Sequence, residues 1–346
     1  MTTAGQPQGA LLVGSIPLGS SEEVFRTASA ILGKWLHRIP DGETGERLGW
    51  IGWQLAILAS LPQFETEPPS PNTYPPLPRV KLRFPAVSGE IVFGRLGYTD
   101  AAKASYADFS RLKQAGVIPA ACRFQVSLPT PLAPINVFVA PQDKGVVEPP
   151  YEARLLAELD EIATAIPHDE LAIQWDVAVE MAIWEGLWPP HFTDIKTGII
   201  ERLVRIGRRV PTGVEVGYHL CYGDYQHSHF KQPVDAANLV EVANAVSAAL
   251  KRPINWLHLP VPRDRSDDAY FAPLRNLKLR PETELYLGLV HFTDGVVGTR
   301  QRIVAAQRVI PEFGVATECG LGRRPPETIP DLLRLHAEVA SPFKET

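Results

Sequence analysis

The sequence predicts an α/β chain folded as a (β/α)8 TIM barrel, and three observations carry that expectation. Eight short apolar runs rich in β-branched residues recur along the chain. Between or after them lie segments with helical periodicity, long enough to cross over between parallel strands. No G-x-G-x-x-G turn follows the first run, which argues against an open dinucleotide-binding sheet.

Taken in order, the strand candidates are 10–15 (ALLVGS), 36–41 (LHRIPD), 122–129 (CRFQVSLP), 171–177 (LAIQWDV), 213–221 (GVEVGYHLC), 254–261 (INWLHLPV), 284–292 (ELYLGLVHF) and 313–319 (FGVATEC). Several are continuous enough for strands covered on both faces. Helical periodicity appears near 21–35, 49–60, 100–116, 151–165, 193–209, 233–250, 297–310 and 327–339. The stretch 62–98 stands out, because Pro62, Pro68, Pro69, Pro71, Pro75, Pro76, Pro78 and Pro85 interrupt any long helix or central strand. It reads as an insertion after the second barrel unit, either a lid over the site or a structural arm. A shorter proline-rich loop at 141–150 follows the third strand. The expectation is a single barrel domain over 1–346 carrying this one insertion.

Composition bounds the partners. The chain has 346 residues, 45% apolar, with a net charge of −5 and no basic cluster, which gives no footprint for nucleic acid. No run approaches the ~20 apolar residues that span a bilayer, and no leader is evident, so the expected location is cytoplasmic and the expected partner a small molecule. Three cysteines, Cys122, Cys221 and Cys319, make no disulfide framework and suit free thiols or metal ligands.

In a barrel of this kind chemistry gathers where the strands end. The runs here end on, or lead into, Ser15, Asp41 and Glu43, Asp176, His219 and Cys221, His258, His291, and Glu318 and Cys319. His219 and Cys221 are two apart on a strand, so both side chains share one face. An imidazole and a thiolate suit zinc, and Cys319 could add a second thiolate while leaving an exchangeable position. Cys122, at the start of its strand, reads as a core residue, and H-x-C alone is equally compatible with packing.

These residues resemble the C-terminal catalytic barrel of the cobalamin-independent methionine synthases and the shorter proteins built from that barrel. The resemblance runs through VGSIP (13–17), PDGETGER (40–47), IQWDVAVE (173–180), YHLCYGD (218–224), LVHFTDG (289–295) and ATECGLGRR (316–324). It implies zinc as cofactor, held by His219, Cys221 and Cys319, and gives His291 the catalytic handling of protons during methyl transfer. It also implies that Gly14 and Ser15 hold an amino-acid substrate whose ammonium group meets Glu43 and Asp176.

Two departures matter. Where the family has a glutamate ligand ending the sixth strand, this chain has His258, which could complete the metal set. Where the family has a tryptophan beside folate, VSLPTPLAPINVF has Val137, which argues against folate as donor and leaves a corrinoid protein or another methyl compound. The resemblance therefore implies a zinc-dependent methyl- or alkyltransferase with a homocysteine-like thiol acceptor. A lyase or decarboxylase on the related uroporphyrinogen decarboxylase-like barrel, and a non-catalytic metal-binding scaffold, are the competing readings. His227, His229, Arg323 and Arg324 follow the motifs closely enough to contact an acidic substrate, or to be solvated. The sequence does not fix the oligomeric state.

Overall fold

A computed structural model describes residues 5–69, 76–224 and 228–344. Eight strands form one all-parallel sheet: β1 (Ala10–Leu11), β2 (Arg38–Pro40), β5 (Arg123–Pro129), β6 (Leu171–Val177), β7 (Glu215–Leu220), β8 (Trp256–Pro260), β9 (Glu284–Val290) and β10 (Gly314–Thr317). Their order is β1-β10-β9-β8-β7-β6-β5-β2, which curls into a nearly closed barrel. Each of the eight strand candidates contains a strand; 171–177 matches at both ends and the other seven are shortened at one end or both.

The seam between β1 and β2 is closed by other means. Ile16 N donates to Gly42 O at 2.8 Å just beyond the two strands. The Gln125 amide donates to the carbonyls of Leu12 and Val13 at 3.2 and 3.0 Å. Gln174 and Ser127 also donate to Val13 O, so three polar side chains from β5 and β6 take over the carbonyls that a neighbouring strand would satisfy.

Helices pack outside: α1 (Ser21–Leu32), α2 (Gln54–Ser60), α3 (Tyr98–Gln114), α4 (Leu132–Phe138), α5 (Lys144–Ala165), α6 (Val179–Trp184), α7 (Ile195–Arg209), α8 (Ala237–Ala249), α9 (Asp268–Phe271), α10 (Gly295–Gln307) and α11 (Ile329–Val339). Local sequence sets their ends. Ser20 caps α1 by accepting from Glu23 N, and Asp194 caps α7 by accepting from Thr197 N, with Arg208 and Arg209 in its last turn. The main core lies between strands and helices, with Phe25, Phe109, Phe124 and Tyr151 among its fully buried rings. A small second cluster, Leu11, Ala172, Trp256, Tyr286 and Ala316, is built from strand residues alone and fills the inside of the barrel.

Two expectations need correction. The proline-rich 141–150 is no loop: from Lys144 onward it is the start of α5, despite Pro149 and Pro150 within it. Burial of Val147 and Tyr151, and ion pairs from Glu148 to Arg202 and His191, hold those turns in place. The insertion also has regular structure. Its described part carries an antiparallel ribbon of β3 (Phe64–Glu67) and β4 (Arg79–Leu82), clipped to the barrel by Ala140 N donating to Val80 O at 2.8 Å and Leu82 N donating to Asp143 at 2.9 Å. Pro71 and Pro75 lie outside the described residues. Among the described residues, no helix is long and apolar enough to cross a membrane.

Candidate metal centre and its cavity

His219 lies on β7, and Cys221 follows one residue beyond it, where its N–H donates to Val177 O and extends the ladder with β6. Cys319 follows β10 by two residues, its carbonyl accepting from the Thr317 hydroxyl at 2.7 Å. The ligand atoms of these three side chains all lie within 4.8 Å of one another. The two sulfurs are 3.5 Å apart. Tetrahedral zinc with bonds of about 2.3 Å would set its sulfurs about 3.7 Å apart, close to this separation. Gly223 N donates to Cys221 Sγ at 3.2 Å. The hydrogen bond shared with Cys221, then burial, hold the Cys319 thiol well above its ordinary range, so a thiolate at Cys319 requires a cation beside it.

The imidazoles settle which nitrogen is available. His258 Nε2 lies 3.0 Å from Thr317 O, and a carbonyl can only accept, so this nitrogen carries the proton. Burial holds the His258 pKa down to about 3, so the ring is neutral and its Nδ1 is an acceptor. His219 Nδ1, 2.6 Å from that acceptor, must then donate. What remains is His219 Nε2: deprotonated, buried and without a hydrogen-bond partner. An orphaned nitrogen lone pair beside two sulfurs fits a thiophilic metal ion. His258, expected to complete the ligand set, is not in the group of clustered ligand atoms among the described residues: its Nε2 faces Thr317 O and its Nδ1 faces His219, behind which it stands.

The three ligand side chains open on a cavity of about 380 Å³. Gly14, Ser15, Glu43 and Asp176 also line it. A Cβ on Gly14 would stand 3.3 Å from both the Glu43 carboxylate and the Ser127 hydroxyl, so a larger residue would crowd this wall. Ser15 caps no helix; its hydroxyl accepts from Gly322 N at 3.3 Å and its carbonyl from Leu321 N at 2.6 Å, fastening the loop that follows Cys319.

Glu43 and Asp176 differ sharply from neighbouring Asp41. Asp41 is bound by Arg47 at 2.7 Å and Ser105 at 2.8 Å. Neither Glu43 nor Asp176 has an ion-pair partner within 4.0 Å among the described residues. Burial raises the Asp176 pKa to about 7, and burial followed by repulsion from Asp176 and Asp41 pushes Glu43 well above the usual carboxylate range. Arg47, paired with Asp41, acts on Glu43 without contacting it, and a cationic group beside the two acids would favour their charged forms. Glu43 (φ 47°) and Trp50 (φ 59°) are the non-glycine residues held at left-handed φ among the described residues, and both face this cavity.

His291 is placed elsewhere. It lines a neighbouring polar cavity of about 450 Å³ with His229, Arg263, Glu318 and Arg324. Its Nε2 donates to Val261 O at 2.9 Å, and its Nδ1 lies 3.4 Å from Glu318. Glu318 and Cys319, adjacent in sequence, thus face different cavities. Arg323 lines the metal-side cavity, 3.6 Å from Asp224, and Arg324 the other. His227 lies outside the described residues, and Cys122 is buried in the core. The sequence reading missed the apolar wall of Trp50, Trp188, Phe230 and Leu77; no local pattern marks these residues, since four separate segments supply them.

No known family profile matches this chain, and no curated protein sequence does. Its backbone is similar to that of the "Putative Vitamin-B12 Independent Methionine Synthase" of Listeria monocytogenes, at 17% identity and a TM-score of 0.53, covering 97% of this chain and 99% of that one. It is also similar to a methyltransferase from Methanosarcina mazei, at 11% identity and a TM-score of 0.51, covering 96% of this chain and 94% of that one. At these identities the likeness concerns the fold, a (β/α)8 barrel shared over nearly the whole length.

Proposed function

We propose that this protein is a zinc-dependent methyltransferase, acting as one barrel domain, that methylates the sulfur of a homocysteine-like amino acid. The observation that carries the reading is the unpartnered His219 Nε2 beside the Cys221 and Cys319 sulfurs, in a cavity that Glu43 and Asp176, without ion-pair partners among the described residues, also line. Zinc bound by these three residues would lower the pKa of a thiol beside it and make that thiol nucleophilic near neutral pH. Three protein ligands leave a position for the substrate.

The chain's own residues supply the rest. Glu43 and Asp176 take the substrate ammonium, which removes the repulsion between them and fixes the amino-acid end. Ser15 holds the loop after Cys319 in register, and Gly14 leaves room for the amino-acid backbone. Trp50, Trp188 and Phe230 exclude water from the reacting sulfur.

Metal content measured by mass spectrometry, followed by methylation assays with homocysteine and a panel of methyl donors, tests this directly. About one zinc per chain is expected, lost in Cys221→Ser and Cys319→Ser, with methylated thiol formed only by the zinc-loaded wild type. A protein that takes up no zinc, or that methylates no thiol when loaded, would overturn it.

A further inference from the structure

We infer that the methyl donor for this cavity is an onium compound, a methyl sulfonium or a quaternary methylammonium ion, rather than a pterin. The inference rests on the methyltransferase reading above and adds the donor's chemical class. Its first support is charge. Glu43, Asp176 and Asp224 line the cavity against a single guanidinium, Arg323, which already lies 3.6 Å from Asp224. An amino-acid acceptor is a zwitterion and adds no net charge, so the acidic lining still favours a cationic donor over a neutral or anionic one.

The second support is the wall. Trp188 and Phe230 stand with ring centroids 5.7 Å apart, and Trp50 lines the same space. Aromatic faces with nearby carboxylates recognise methylated cations, whose positive charge is spread over apolar methyl groups. A cavity of about 380 Å³ is near the small end for ligand sites and suits a small acceptor with a small donor.

The third support is the proton inventory. A tertiary-amine donor of the pterin kind leaves as an amide anion unless an acid protonates it. His291, the imidazole expected to supply that proton, lines the neighbouring cavity with its Nε2 committed to Val261 O, and the acids of this cavity, Glu43 and Asp176, are taken up by the acceptor's ammonium. An onium donor needs no acid. The thiol loses its proton to solvent on binding. A sulfur lone pair then forms the new S–CH3 bond while the C–S or C–N bond of the donor breaks, its electron pair staying on the leaving atom. The products are a thioether and a neutral thioether or tertiary amine.

The experiment offers zinc-loaded protein homocysteine with, in turn, S-methylmethionine, glycine betaine, N5-methyltetrahydrofolate and methylcobalamin, following methyl transfer by mass spectrometry. In parallel, tetramethylammonium is titrated into the metal-free protein while tryptophan fluorescence is recorded. The expected result is transfer from at least one onium donor about tenfold or more faster than from the other two, with saturable quenching that weakens in Trp188→Leu. Transfer from the pterin or the cobalamin at an equal or greater rate overturns the donor assignment and leaves the methyltransferase standing, as does the absence of saturable quenching. No transfer from any donor overturns both.

Discussion

His219 and His258 are joined ring to ring, Nδ1 to Nδ1 at 2.6 Å, and Thr317 O fixes the proton on the far side of His258. The backbone of β10 thereby dictates the tautomer of a side chain on β7. His258→Ala releases that constraint without removing a donor atom from the metal group. Metal affinity should fall by about 10- to 100-fold with one site per chain retained. Chelator competition reads the affinity. Long-range 1H–15N NMR of the metal-free protein reads the tautomer, expected as Nδ1–H on His219 in wild type. Complete loss of the site in His258→Ala, as in the cysteine variants, would make His258 a ligand after all.

Asp176 gives the fold a pH dependence of definite sign. Its folded pKa, about 7, lies above the ordinary 3.8, so the folded chain binds more protons than the unfolded chain between those values. Its cost is absent below about pH 4, grows as pH rises, and is complete above about pH 7. Asp176→Asn keeps an acceptor for Gln174, which donates to Oδ1 at 2.9 Å. The variant should gain stability over wild type at pH 8, by at most about 4 kcal/mol, and gain little at pH 4. Denaturant unfolding at the two pH values measures the difference; an equal gain at both would mean that Asp176 is not held protonated.

Closure of the barrel depends on Gln125. Leucine there leaves the Leu12 carbonyl without the donor it has now and weakens the support of Val13, next to Gly14 and Ser15 at the cavity. A loss of about 1–3 kcal/mol is expected in Gln125→Leu by denaturant unfolding. Substrate binding should weaken with it, since the same segment forms one wall of the cavity.

Gly217 shows how tightly the barrel interior is filled. A Cβ there would stand 2.0 Å from the Trp256 ring, which also lies under the Arg38 guanidinium at 4.3 Å and donates to Gln174 at 3.3 Å. The ring has nowhere to retreat, so Gly217→Ala should cost about 1–3 kcal/mol or more through overpacking. Thermal unfolding checks this; an unchanged midpoint would show that the interior is looser than it looks.

The alternation of apolar runs and amphipathic segments made the barrel legible, because a strand covered on both faces must be mostly apolar. Leu171–Val177 is a clear case: it is buried at every position, and its two polar residues, Gln174 and Asp176, meet Val13 O and the cavity. Prolines misled the reading where tertiary contacts outweigh local preference. Pro134 sits in the first turn of α4, where its missing N–H breaks no helical bond. Pro149 and Pro150 are tolerated because Glu148 is locked by Arg202. The His219, Cys221 and Cys319 group could be anticipated from two short motifs at strand ends. That His291 lines the neighbouring cavity could not, since the strand-end pattern puts residues at the mouth without saying which cavity they enter. Nor could the role of His258, which depends on a carbonyl from another strand.

The β3–β4 ribbon contributes Leu77 to the cavity through the segment leading into β4, while every metal-facing donor comes from the barrel itself. One residue of the apolar wall is therefore encoded apart from the strands that align the reactive atoms. An insertion or deletion in the ribbon can alter that contact without disturbing those strands.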